Sequence, residues 1–254
     1  MKFFKKDKLD VKIYDTRADM GAGAAADIHD CMVKLLSEKD EINMIFAAAP
    51  SQNETLAALL TYTDIDWTRV NAFHMDEYIG LPADAPQRFG NYLRDHIFAH
   101  APFKSVNYID SSATDMDAEC ARYTALLEKY PTDIVCMGIG ENAHIAFNDP
   151  GVADFHDPKT IKPVALDDTC RQQQVNDGCF AAFDDVPTHA MTLTVPTLFR
   201  AGALFCSVPA PTKANAVKEM LTTEQIDEHC PAAILRLHDN ATLYCDADSA
   251  SLLA

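Results

Sequence analysis

Ile134-Val135-Cys136-Met137-Gly138-Ile139-Gly140-Glu141-Asn142-Ala143-His144 is the stretch on which the reading of this chain turns. Its first four residues are all apolar. That suits a short strand covered on both faces of a parallel sheet, and the run is too short for a helix. Gly138 and Gly140 then let the backbone turn tightly and come close to a ligand. The whole chain has only 9 glycines in 254 residues, so two at one strand end carry weight. Ligands of open α/β sheets sit beyond the carboxyl ends of the strands, so chemistry is expected just after Met137.

The same alternation runs outward in both directions. Leu9 to Tyr14, Ile42 to Ala47, Val70 to His74 and Val106 to Ile109 read as strands on the amino-terminal side. Met191 to Val195, Ala203 to Val208 and Ala241 to Cys245 read as strands on the other. Helix-period segments separate them: Met20 to Ser37, the segment through Leu56, Leu59 and Leu60, Arg88 to Phe98, Ala118 to Tyr130, and Thr212 to Leu221. Strand–helix–strand order predicts an α/β fold with a mostly parallel sheet and helices on both faces. No linker or repeat divides the chain, so residues 1–254 read as a single domain.

Lys and Arg number 21 against 38 Asp and Glu, a net charge of −17. That field repels phosphate backbones and anionic lipid, which argues against nucleic-acid and membrane-surface binding. An anionic small molecule is still admissible where a few cations gather. No apolar run nears the roughly 18 residues that cross a bilayer. The basic segment Met1 to Lys8 has no apolar stretch behind it, so no secretory signal is expected. The 8 cysteines form no CxxC pair and no Cys/His cluster at zinc spacing, which fits reduced thiols in a cytoplasmic protein with no metal site. His96 and His100 lie four apart, but no Glu follows His96 as a zinc protease motif requires.

Several strand ends carry unusual side chains. Asp76-Glu77-Tyr78 follows the Val70 strand, where a carboxylate at the edge of a dry crevice can act as a base or simply close a turn. His144 is followed five residues later by Asp149, and an imidazole with a carboxylate partner can move protons near neutral pH or merely fill a gap. Gly138, Gly140 and Ala143 also fit a dinucleotide fingerprint, but Pro150 and Gly151 interrupt the helix that the fingerprint should open. Lys213 stands at a helix start, where the dipole already disfavours a cation, so an anionic ligand shared with backbone N–H groups is one reading and a solvated lysine the other. Arg171, and Ser51 in the turn after the Ile42 strand, are further candidates for holding an anion.

Four pieces together resemble the glucosamine-6-phosphate deaminase/isomerase family: Phe73 to Pro82 (FHMDEYIGLP), Gly138 to Pro150 (GIGENAHIAFNDP), Met191 to Leu198 (MTLTVPTL) and Pro211 to Val217 (PTKANAV). The resemblance implies a Rossmann-like sheet and a reaction that converts glucosamine 6-phosphate to fructose 6-phosphate and ammonia. Asp76 would take the C2 proton and return it to C1. His144 would open the sugar ring, held by Asp149 with Asn142 beside it. Ser51, Glu77, Arg171 and Lys213 would bind substrate. It implies no metal or organic cofactor, a sugar-phosphate ligand and, as in many members, a homo-oligomer. The family's fold also serves 6-phosphogluconolactonases, so a lactone hydrolase or a non-catalytic sugar-phosphate sensor are the alternatives. The chain departs from the family pattern at Ala49-Pro50-Ser51-Gln52 in the phosphate turn, and at Asn142, Ala143 and Asp149 around the histidine. Ile161 replaces an effector-binding lysine, so no amino-sugar phosphate activation is expected.

Overall fold

The computed structural model describes residues 1–253. Eight strands form the main sheet: β1 (Lys2–Lys6), β2 (Leu9–Ile13), β3 (Ile42–Phe46), β4 (Val70–His74), β6 (Ser105–Asn107), β7 (Ile134–Met137), β10 (Ala203–Val208) and β11 (Ala241–Cys245). Their order is β1-β2-β11-β10-β7-β3-β4-β6, parallel throughout except for the β1/β2 hairpin at one edge. From β3 to β11 the strands run outward to one edge and then return on the other side of β3. This is the doubly wound Rossmann order, with its direction change between β3 and β7.

Periodicity accounts for the layers. Alternate residues of the central strands face opposite sides, and both sides are apolar. Ile45, Phe73, Val135 and Leu204 lie in one core with Tyr123 and Leu127 of α4 (Met116–Lys129) and Val217 and Met220 of α7 (Ala214–Thr222). Met44, Phe46, Ile134 and Cys136 lie in the other, under Met20, Ile28 and Met32 of α1 (Arg17–Glu38) and Leu56 and Leu59 of α2 (Asn53–Leu59). α1 begins at Arg17 rather than Met20 because Thr16 caps it, accepting a hydrogen bond from the Asp19 N–H at 3.1 Å. The Arg88-to-Phe98 segment is α3 (Phe89–Leu93) continuing into a π-helical turn, Arg94–Phe98.

One expectation needs correction. The Met191 run does not join the parallel sheet. As β9 (His189–Leu193) it forms the middle of a separate antiparallel sheet, between β5 (Asp76–Tyr78) and β8 (Ile161–Ala165). The two flanking strands are hard to see in the sequence: one is acidic, the other holds Pro163, tolerated only because β8 is an edge. Two short helices, α5 (Asp168–Asn176) and α6 (Val195–Phe199), complete the fold. Among the described residues no helix is long and apolar enough to cross a membrane.

The link from β4 to β5 is held by His74, which is fully buried. Its Nδ1 donates to the Asp76 carbonyl at 2.8 Å and its Nε2 accepts from the Ile109 N–H at 2.9 Å, which fixes one neutral tautomer. Burial depresses its pKa to about 4. Between the ordinary value near 6.5 and that value, the unfolded chain binds a proton that the folded chain refuses. His74 therefore contributes its full stabilisation above pH ~6.5 and loses it as the pH falls towards 4. Moving from pH 7 to pH 5 is expected to cost about 2 kcal/mol through this group. Urea unfolding of wild type and His74→Gln at both pH values measures it, and a pH dependence equally steep in the variant would reject the assignment.

Candidate active site

The direction change between β3 and β7 opens a cleft at the carboxyl ends of the strands. The Ala47–Ser51 turn after β3, Asp76 after β4, the Gly138–His144 loop after β7 and the Pro209–Lys213 turn after β10 all line it. The loop after β7 does not open a helix, so the dinucleotide fingerprint is not realised there.

Asp76 begins β5 with its carboxyl group in the cleft wall, and the residue is 7 % exposed. No hydrogen bond or cation among the described residues meets this carboxylate. Burial, reinforced by the neighbouring Glu77 charge, raises its pKa well above the ordinary aspartate value. Glu77, the next residue on the strand, points the other way, as strand alternation dictates. Its carboxylate accepts the N–H groups of Tyr78, Phe89 and Gly90, each at 2.9 Å, and so holds the start of α3. It was expected to contact substrate; it does not line the cleft.

His144 lines the same cleft as Asp76. Its Nδ1 lies 2.8 Å from Asp149 Oδ1, close but off the line of a straight hydrogen bond. Asn142 bridges the two: its amide donates to Asp149 Oδ1 at 3.0 Å while its oxygen accepts the His144 N–H at 3.2 Å. Burial acts to raise the pKa of Asp149, but His144, Asn142 and the Cys170 thiol outweigh it and hold the carboxyl below its usual value. Gly140 is there for space, since a Cβ at that position would lie 2.1 Å from the imidazole Cε1. Ala143 takes a left-handed φ of 62°, a conformation that favours glycine. Asn148 anchors the far end of the loop by donating to the Ile145 and Leu193 carbonyls, both at 2.8 Å.

The cationic side of the cleft differs from expectation. Lys213 ends a 3-10 turn (Pro211–Lys213) that leads into α7, and it is 5 % exposed. No carboxylate among the described residues lies within ion-pair distance of it. Burial lowers its pKa, partly offset by the charges of Asp177 and Glu141. Ser51 shares this wall. Pro50 supplies no N–H, and the turn is braced instead by the buried Gln52 amide, which donates to the Met137 and Ser207 carbonyls and to Ser51 Oγ. Because Ser51 accepts that bond, its own O–H is free to donate into the cleft.

Arg171 stands outside the cleft lining in this structure. Its guanidinium donates to the Phe183 carbonyl at 3.0 Å and to the Val186 carbonyl at 2.9 Å, and stacks over the Phe183 ring at 4.0 Å. It staples the 183–186 segment and does not line the cleft. The arginine that does is Arg17 at the start of α1. Its guanidinium donates to the Pro50 carbonyl and pairs with Glu54 at 2.7 Å. α1 reaches this turn because Gly21 lets it approach α2: a Cβ there would lie 2.4 Å from Glu54 Cβ. The cue that marks Lys213, a cation at the start of a helix just after a strand, applies equally to Arg17. On α5, Gln173 and Gln174 also face the cleft. Ile161, where an effector-binding lysine was sought, is 2 % exposed within the core.

A family model described as glucosamine-6-phosphate isomerases/6-phosphogluconolactonase matches residues 15–244. The chain is 38 % identical over 213 residues to a glucosamine-6-phosphate deaminase of Listeria innocua, covering 84 % of this chain and 88 % of that one. It is 36 % identical over 188 residues to a protein of the same name from Bacillus cereus, covering 74 % and 70 %. Among solved structures, a monomeric glucosamine-6-phosphate deaminase superposes with a TM-score of 0.85 at 29 % identity, over 95 % of this chain and 99 % of that one. A 6-phosphogluconolactonase from Trypanosoma brucei superposes at 0.77 over the whole of both chains, with 18 % identity, a likeness of fold alone. With the family pattern spanning most of its length and close sequence relatives on either count, the chain belongs to the glucosamine-6-phosphate isomerase/6-phosphogluconolactonase family.

Proposed function

We propose that this chain converts glucosamine 6-phosphate and water to fructose 6-phosphate and ammonia. The observation that carries the reading is one cleft with a buried, unpaired carboxylate at Asp76, an imidazole–carboxylate pair at His144 and Asp149, and a buried, unpaired ammonium at Lys213. A burial of this kind costs stability and needs a ligand to offset it. The names of the relatives and of the structural likeness at 29 % identity support the same substrate.

In this mechanism His144 takes the proton from the O1 hydroxyl and delivers it to the ring oxygen, which frees the C1 aldehyde. Asp76 removes the C2 proton, the electron pair moves through C1 onto O1, and a proton from the C2 ammonium passes to O1 to give an enolamine. Asp76 returns the proton to C1, leaving C2 as an iminium. Water adds at C2, ammonia leaves, and the ketose phosphate remains. Each placed proton transfer supplies roughly 10²–10⁴-fold. Lys213, the Ser51 hydroxyl and Arg17 hold the phosphate, which positions the sugar from a site remote from the reacting carbons.

The test mixes purified protein with glucosamine 6-phosphate and follows ammonia and fructose 6-phosphate together, with galactosamine 6-phosphate and 6-phosphogluconolactone in parallel. Turnover of the lactone alone would overturn the reading. The pH profile of kcat/KM is expected to be a bell. It rises as Asp76 ionises, at a pH well above the ordinary aspartate range because burial raises that pKa. It falls as Lys213 loses its proton, at a pH below the ordinary lysine range because burial lowers that one. An acid limb in the ordinary aspartate range would remove Asp76 as the base.

A further inference from the structure

We infer that His144, Asp149 and Cys170 form a latent site for a soft divalent cation of the zinc class, and that filling it switches off the acid/base pair. The inhibitory consequence rests on the function proposed above; the site itself rests on geometry alone. Cys170 comes from α5, a helix the sequence did not announce, and reaches the loop after β7 only in the fold. One ligand atom from each residue lies within 4.8 Å of the others. All three residues are buried: Asp149 at 0 %, Cys170 at 1 % and His144 at 7 % exposure.

A second, independent observation points to a ligand. Asp149 Oδ2 and His144 Nδ1 are buried without a well-aligned hydrogen-bond partner among the described residues. Such atoms are costly to leave idle. A cation bonded at about 2.0–2.3 Å to nitrogen, oxygen and sulfur would satisfy both after a small contraction of the trio, with its fourth position left to water. The charges also match. One carboxylate and one thiolate cancel a dication beside a neutral imidazole, so the filled site is neutral in a dry environment. The thiol gives up its proton to solvent when the metal–sulfur bond forms.

Other groups around Cys170 bear on this balance. Burial holds the thiol protonated, and the Asp149, Asp167 and Asp76 carboxylates act in the same direction, while Lys213 opposes them. Without a metal the thiol is therefore inert as a nucleophile. The three carboxylates attract a cation; Lys213 repels it, which favours a borderline metal that gains covalency from sulfur over a hard ion such as magnesium. Metal bound here takes the Nδ1 side of His144 and the carboxylate that orients it, so ring opening stops.

Cobalt(II) titration of the chelator-treated full chain, without substrate, tests the site. The expected result is a thiolate-to-cobalt charge-transfer band with tetrahedral visible bands, and release of the thiol proton. Cys170→Ala and the near-isosteric Cys170→Ser are each expected to lose the band and weaken cobalt binding at least tenfold, roughly the least that loss of a ligand costs. In the ammonia assay, zinc is expected to inhibit wild type reversibly, with recovery on chelation. Relative to each variant's own zinc-free turnover, both should require at least about tenfold more zinc for half-inhibition. A cobalt spectrum with no thiolate band, or a band unchanged in both variants and so owed to another cysteine, overturns the inference. The optical result needs no turnover, so it stands or falls apart from the proposed reaction.

Discussion

Asp76→Asn is expected to lower kcat by roughly 10²–10⁴-fold with little change in KM, because the amide keeps the shape of the cleft wall and cannot accept the C2 proton. The same substitution is expected to raise Tm. In the wild type this carboxylate is buried, unpaired and next to the Glu77 charge, all of which disfavour its ionised form. Removing the charge relieves a strain that the fold tolerates only for function. Loss of activity with a gain in stability separates a chemical role from a structural one, since damage to packing would move both downward. Asp76→Asn with wild-type kcat would remove Asp76 as the base and the mechanism with it.

Lys213 carries the second large effect. Truncating a buried charge that pairs with a ligand costs about 2–5 kcal/mol, so Lys213→Met is expected to lower kcat/KM about 10²-fold or more. Part of the loss should fall on kcat, because phosphate binding is used to position the sugar in the transition state. Lys213→Met should unfold at a higher temperature than wild type, for the reason given for Asp76: a buried ammonium without a partner is replaced by a side chain of similar length that suits its surroundings. Arg171→Ala is the contrasting control. It breaks the staple to Phe183 and Val186 and is expected to lower Tm, through loss of packing and carbonyl hydrogen bonds, with a smaller effect on KM. If Lys213→Met leaves KM and kcat untouched while Arg171→Ala raises KM tenfold or more, the anion site has been placed on the wrong helix.

The contrast between these two cations shows how far a linear sequence can be read. Lys213 was visible because its local context, the end of a strand and the start of a helix, already places a side chain at the rim of an open sheet. Arg17 has the same context after β2, and the rule that selects one should select both. Arg171 was drawn in by resemblance of its neighbours, yet its guanidinium meets carbonyls supplied by residues twelve to fifteen positions on. Which partner a long side chain reaches is settled by packing, because Arg carries several rotatable bonds and no local rule restricts them. Glu77 makes a similar point with simpler physics: in a strand, the neighbour of an inward residue faces outward, so an Asp-Glu pair cannot serve one site together unless the strand is broken between them.

The sheet strands β3, β4, β7, β10 and β11 were legible to within a residue or so, because a strand buried on both faces is a continuous apolar run whatever else the chain does. The small antiparallel sheet was not: Asp76–Tyr78 and Ile161–Ala165 are strands through pairing with β9, and little in their own composition announces it. By itself the sequence determined a mostly parallel α/β sheet with helices on both faces, and it set His144 and Asp149 five residues apart, near enough for one loop to bring them together, since these follow from periodicity and short separations along the chain. Only the tertiary structure decided that Arg17 rather than Arg171 faces the cleft, that Glu77 holds a helix start, and that Cys170 stands beside the histidine. Those are contacts between segments far apart in sequence, and their geometry is set by how helices pack on the sheet, an outcome of the whole core that no local pattern encodes.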